Sequence, residues 1–154
     1  MVGNMGSESR FDYSILGDAA NLASRLEGQS KSYGVTIILG EETAEAVEQE
    51  LFSVELDKIA VKGKKDAVRI FTVLGNNSWV FHNTSWYFNQ QQHDKFLKLY
   101  RQQSWKIAEK FANDLKATWP EMADYYDIML SRIEEYKKNS PGEDWDGVYR
   151  ATTK

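Results

Sequence analysis

The chain has 154 residues, a formal net charge of -4 and 42% hydrophobic residues, enough apolar content for a folded core in one domain or two small ones. It has no cysteine, which excludes disulfides and thiolate zinc sites and fits a reducing compartment. No run approaches the roughly 20 apolar residues of a membrane helix, no secretory signal opens the chain, and the lack of a basic patch argues against nucleic acid as the main partner.

Val2 to Met5 reads as a short strand that begins with no leader, and Phe11 to Leu16 as a second extended segment. Asp18 then offers an N-cap for a helix to about Lys31, with Gly28 as a stop signal. Ala19, Leu22, Ala23 and Leu26 form its apolar stripe. Asn21 and Arg25 stand one turn apart on a single face. Val35 to Leu39 is a continuous, β-branched apolar run, the pattern of a strand buried on both faces. Gly40 to Thr43 starts a helix to about Glu50, with acids in the first turn where the helix dipole favours them. Phe52 to Val61 alternates as a strand, Lys62 to Asp66 is a turn, and Ala67 to Leu74 returns. This order, strand-helix-strand-helix-strand-strand, is an α+β fold with helices on one side of the sheet.

The composition shifts at Gly75. All five Trp and both Pro follow it, while eight of the ten Gly lie at or before it. Residues 1–75 carry 8 basic and 12 acidic side chains, and residues 76–154 carry 11 of each. Two modules are therefore expected, covering 1–75 and 89–138, with a connector at 76–88 and a turn-rich tail at 139–154. Helical spacing places Phe96, Leu97 and Tyr100 inward on a helix from about Asn89 to Tyr100. A second helix runs from about Ser104 to Ala117, with Trp105, Ala108, Phe111, Ala112 and Leu115 on one side. Pro120 opens a third in its first turn, which runs through Tyr126, Met129, Leu130 and Ile133 to about Lys138. The helices look like a single tetratricopeptide-type hairpin, with no second copy to support an array.

An Asn/Arg pair near a helix start suits an oxygen-rich, phosphorylated ligand. Arg offers a forked donor to phosphoryl oxygens and Asn orients a hydroxyl. Its setting is more specific than the pair. The run VGNMGSESRFDYSILGDAANLASRLEG, Val2 to Gly28, resembles the C-terminal half of the class III adenylate/guanylate cyclase catalytic domain, and IAVKGKKDAVRIFTVLG, Ile59 to Gly75, resembles the closing hairpin of that domain. The resemblance covers about half the chain and implies a partial ferredoxin-like cyclase sheet. The paired glycines are Gly3 and Gly6, followed by Tyr13 and Gly17. It implies that Asn21 orients the ribose, Arg25 stabilises the transition state, Lys62 grips the phosphates and Ser14 reads the purine. Many adenylate cyclases have Asp at the Ser14 position, guanylate cyclases usually Cys, and one bacterial subgroup Thr or Ser. The subgroup pattern favours ATP over GTP, although a hydroxyl can serve either base.

The family converts a nucleoside triphosphate into a 3′,5′-cyclic nucleotide and pyrophosphate, with two Mg or Mn ions held by two Asp residues. Those residues and the other purine-reading residue should precede Val2, which makes Met1 an internal methionine of a longer reading frame and the isolated chain inactive. Family members dimerise head to tail, so a second copy or a full-length cyclase is the expected partner, in the cytoplasm, with a longer parent open to membrane tethering. The competing reading is a non-catalytic regulatory remnant whose Trp- and Tyr-rich helices bind protein. The segment Asp144-Trp145-Asp146-Gly147 resembles, more loosely, the end of a helical extension in some bacterial sensor-linked cyclases. His82 and His93 lack ligand spacing and read as ordinary polar or half-buried residues. Lys64 and Lys65 read as solvated, and the paired acids Glu41/Glu42, Glu134/Glu135 and Glu143/Asp144 as surface.

Overall fold

The computed structural model describes residues 2–7 and 10–15 as backbone and residues 17–151 in full. Strands β1 (Val2–Ser7) and β2 (Arg10–Ile15) form an antiparallel hairpin that pairs Gly3 with Ser14. Among the described residues this hairpin is a sheet of its own. Helix α1 (Asp18–Glu27) follows. Gly17, at φ 132°, occupies the N-cap, and Asp18 is the first helical residue with no capping bond. The expected Asp18 cap is thus displaced by one position, because only glycine tolerates that φ readily. The helix ends at Glu27, short of the expected reach to about Lys31, with the stop residue Gly28 as its C-cap, and a separate 3₁₀ turn, Lys31–Tyr33, closes on Gly34 at φ 64°.

The expected strand over Val35–Leu39 is reduced to β3, Leu39–Gly40. Among the described residues it pairs with one neighbour only and lies at the edge of a three-stranded sheet of order β3-β5-β4. Ile37 is 46% exposed, so the apolar run is not buried on both faces. Helix α2 (Glu41–Ala46) is shorter than the expected helix to Glu50. β4 (Leu51–Ile59) and β5 (Val68–Asn76) are the long hairpin that the alternation predicts.

A bulge between Glu55 and Asp57 breaks the β4 register. An extra residue in one strand turns two successive side chains to the same side. Leu56 and Asp57 are both fully buried in consequence.

Asn76 caps the next helix, accepting from the Trp79 N–H through its side chain at 2.7 Å. Much of the segment read as a connector is helical: α3 (Asn77–Phe81) precedes α4 (Ser85–Arg101), and Val80 and Trp86 are buried. α5 (Trp105–Thr118) and α6 (Ala123–Lys138) follow, with a 3₁₀ turn at Pro120–Met122 between them. α4 packs on α5 and α5 on α6, and α4 also lies against β4. Phe96, Leu97 and Tyr100 point inward as the spacing predicts.

One buried cluster joins the sheet to the helices. Phe52, Val54, Leu56 and Ile70 from the strands meet Phe96, Met129 and Ile133 from the helices and Trp119 from the link after α5. Each such side chain contributes about 1.5–3 kcal/mol by leaving water. Polar links reinforce the seam. The Tyr125 hydroxyl donates to the Leu56 carbonyl at 2.5 Å, and the Asp57 carboxylate accepts from Tyr33 at 2.7 Å and from Arg132 at 2.5 Å. These partners satisfy a carboxylate that would otherwise be costly to bury.

Candidate functional site

The site grows from two elements that the core holds in register. α1 packs beside β3, with Leu26 buried and Leu22 partly so. Its other face carries Asn21 and Arg25, both exposed and one turn apart. The second element is the turn after β4. Its Lys64 N–H donates to the Val61 carbonyl at 3.0 Å, and Gly63 stands at φ 84°.

The fold brings Arg25 and the Lys62 turn together. Nη1 of Arg25 donates to the Lys62 carbonyl, and a Cβ on Gly63 would sit 3.1 Å from that same nitrogen. Glycine at 63 therefore serves both the left-handed turn and the close approach of the guanidinium. Arg25 makes no other hydrogen bond among the described residues, so most of its fork faces outward. The Lys62 side chain is exposed beside it. Lys64, read from sequence as solvated, instead pairs with Asp18 at 2.5 Å and ties the turn to the first residue of α1. A cleft of about 310 Å³ opens here, lined by Arg25, Gln29, Val61, Lys62 and, from the tail, Tyr149.

Ser14 is in β2, opposite Gly3, and its side chain lies outside the described residues, as does that of Tyr13. Among the described residues no three His, Asp or Glu side chains come together to hold an ion. The donor set of the described residues does not fit a divalent metal pair.

Sequence reasoning missed the polar network beneath this site. His93 is fully buried rather than half-buried. Its Nε2–H donates to the Glu55 carbonyl at 2.5 Å and its Nδ1 accepts from the Tyr126 hydroxyl at 2.8 Å, which fixes a neutral tautomer. Burial, with a smaller push from Arg101, lowers its pKa to about 4 against the raising effect of the Glu55 bond. Burial tends to pull the Arg132 guanidinium down, but Asp57, Tyr33 and Tyr100 outweigh it and hold the group above its ordinary range. Tyr33 is held above the ordinary phenol range by burial first and Asp57 second. A faint signal existed for this network in Arg132, which lies on the apolar stripe of α6; Asp57 gave none, since alternation places it with Ser53 and Glu55 on the polar side of β4.

No family model matches the chain. Over 76 residues, 47% of its length, the chain is 42% identical to an adenylate cyclase of Anabaena cylindrica. Over 77 residues it is 40% identical to the terminal-differentiation-specific adenylate cyclase of Dictyostelium discoideum, and over 76 residues 36% identical to adenylate cyclase 1 of Rhizobium meliloti. About half of the chain is thus homologous to adenylate cyclases, in keeping with the class III resemblance. The matches span 15%, 4% and 11% of these relatives, so the chain corresponds to a small part of each. Among solved structures, the adenylyl cyclase CyaB from P. aeruginosa matches at 36% identity and a TM-score of 0.40, over 47% of this chain and 36% of that one.

Proposed function

We propose that this chain, half of which is homologous to adenylate cyclases, supplies the ribose- and phosphate-facing half of a site that converts ATP to 3′,5′-cyclic AMP and pyrophosphate. The observation that carries this reading is the Arg25 guanidinium held over the Lys62 turn. Two cations on separate elements converge on one exposed cleft, with Asn21 one turn along the same helix face. In this reading Lys62 binds the terminal phosphates as a point charge and Arg25 meets the charge that develops at the α-phosphorus. Asn21 orients the ribose whose 3′-hydroxyl attacks, and Ser14 contacts the purine.

Alone, the chain is inactive. About four negative charges on a triphosphate would face one Arg and one Lys, which is too little neutralisation for attack by an alkoxide. A partner polypeptide, joined head to tail, supplies the remaining half of the site. The test is complementation. The purified chain is mixed with an adenylate cyclase whose own Asn and Arg are replaced and whose acidic residues are intact. Cyclic AMP should appear in the mixture, and Arg25→Ala should lower the rate by about 10²–10³-fold. A mixture no more active than its blank, together with no calorimetric binding of a non-hydrolysable ATP analogue, rejects the proposal. A stronger response with GTP would reassign the purine.

A second reading, a non-catalytic interaction module, draws support from the exposed aromatic residues at the start of the helical segment. Phe81 is 71% and Phe88 61% exposed, and aromatic side chains of this kind anchor protein interfaces. It is favoured if the chain binds no nucleotide.

A further inference from the structure

The tail from Pro141 to Tyr149 has no role in the chemistry above, yet it ends against it. Among the described residues the sheet order leaves one edge of β4 without a neighbouring strand, and the pairing of β4 with β5 stops at Ile59 and Val68. The tail occupies that edge. The Tyr149 N–H donates to the Lys58 carbonyl at 2.8 Å and the Ala60 N–H donates to the Tyr149 carbonyl at 3.0 Å, a parallel bridge opposite Ile59. One residue on, Val61 closes the turn by accepting from Lys64, and Lys62 accepts from Arg25. The tail therefore grips the strand at the last two residues of its ladder to β5, just before the turn begins.

The tail is itself anchored. The Tyr149 ring lies 3.6 Å from the Arg132 guanidinium carbon. The Trp145 ring packs among Tyr100, Trp105 and Tyr136, and its N–H donates to the Val148 carbonyl at 3.0 Å. Gly147 turns at φ 76°, where a Cβ would meet the Arg101 side chain at 3.0 Å. Asp146 accepts from the Val148 N–H at 3.1 Å and from Arg150 at 2.7 Å. A segment with so many fixed points, ending on one wall of the 310 Å³ cleft, is built to hold its neighbour still.

We infer that residues 145–149 form a positioning strap, which clamps Ala60 just past the end of β4 and so keeps the Lys62 turn against Arg25. What the turn grips rests on the nucleotide reading above, whereas the clamping stands on the backbone bonds alone.

The test uses the full chain and two variants. Gly147→Val blocks the left-handed turn, and Asp146→Ala loosens the tail from an exposed position should the first variant fail to fold. Amide hydrogen exchange is read at Ala60, Lys64 and, as a control, Ile70 in β5. Titration with a non-hydrolysable ATP analogue is read in parallel. The strap predicts exchange faster by about tenfold or more at Ala60 and Lys64 with Ile70 unchanged, and an analogue Kd weakened about tenfold, since local ordering is part of the binding free energy. Unchanged exchange at Ala60 and Lys64 overturns it, as does equal acceleration at Ile70, which would signal general loss of stability. Faster turn exchange with an unchanged Kd overturns the link to phosphate binding. If the parent chain does not bind the analogue while the exchange pattern holds, the nucleotide reading falls and the clamp survives.

Discussion

Arg132→Leu isolates the cost of the ionic seam between sheet and helices. Asp57 is fully buried and the Arg132 side chain is 8% exposed. In the parent, Asp57 has three donors: the Arg132 guanidinium at 2.5 Å, the Tyr33 hydroxyl at 2.7 Å and the Lys58 N–H at 2.8 Å. The substitution leaves a carboxylate with two neutral donors and no counter-charge. Removing one partner of a buried pair costs about 3–5 kcal/mol, a large share of the roughly 5–15 kcal/mol that holds a domain together. For a chain of 154 residues the unfolding entropy is about 320 cal/mol/K, so Tm should drop by about 9–16 °C. Thermal unfolding followed by circular dichroism at pH 7 measures it. The double variant Asp57→Leu/Arg132→Leu should recover most of the loss, because an apolar pair of similar volume carries no desolvation cost. A single variant that melts within about 3 °C of the parent would refute the reasoning, since exposed pairs are worth that little.

Two further outcomes follow from the same interior. The folded-state pKa of His93 lies at about 4, below the roughly 6.5 of an unfolded histidine. Between those values only the unfolded chain binds the proton, so stability falls as pH drops through the window, by about 3 kcal/mol at its foot. Urea midpoints measured from pH 7 to 4.5 should show this decline, and His93→Gln should flatten it; an identical slope in the variant would exclude His93 as its source. Gly34 stands at φ 64°, with Asp124 Cβ 2.9 Å from where its own Cβ would be. Gly34→Ala should therefore cost about 1–3 kcal/mol in urea unfolding, and a variant as stable as the parent would contradict that geometry.

Periodicity made much of this fold readable. The β4–β5 hairpin showed as alternation interrupted by a glycine-containing turn, and the helical spacing of aromatic and Ala positions marked α4, α5 and α6 to within a few residues. Val35–Leu39 misled because an apolar run says nothing of how many neighbours a strand will have, and here there is one at Leu39–Gly40. Asp57 was passed over because strict alternation does not foresee a bulge, and its partner lies on a distant helix with no local trace. The meeting of Arg25 with the Lys62 turn was legible only through family resemblance, since no spacing rule joins residues 37 apart. The tail held turn residues whose docking on β4 depends on an unpaired edge that sequence does not reveal.

The Asp57–Arg132 contact spans 75 residues of chain, and that span has a consequence for synthesis. At about 5–20 residues per second, roughly 4–15 s pass between translation of the acid and translation of its base. During that interval the strand lacks the helix that supplies the native counter-charge of the carboxylate. Ribosomes that stall before the final helix would release a product unable to close its own centre, a natural target for chaperones and proteases.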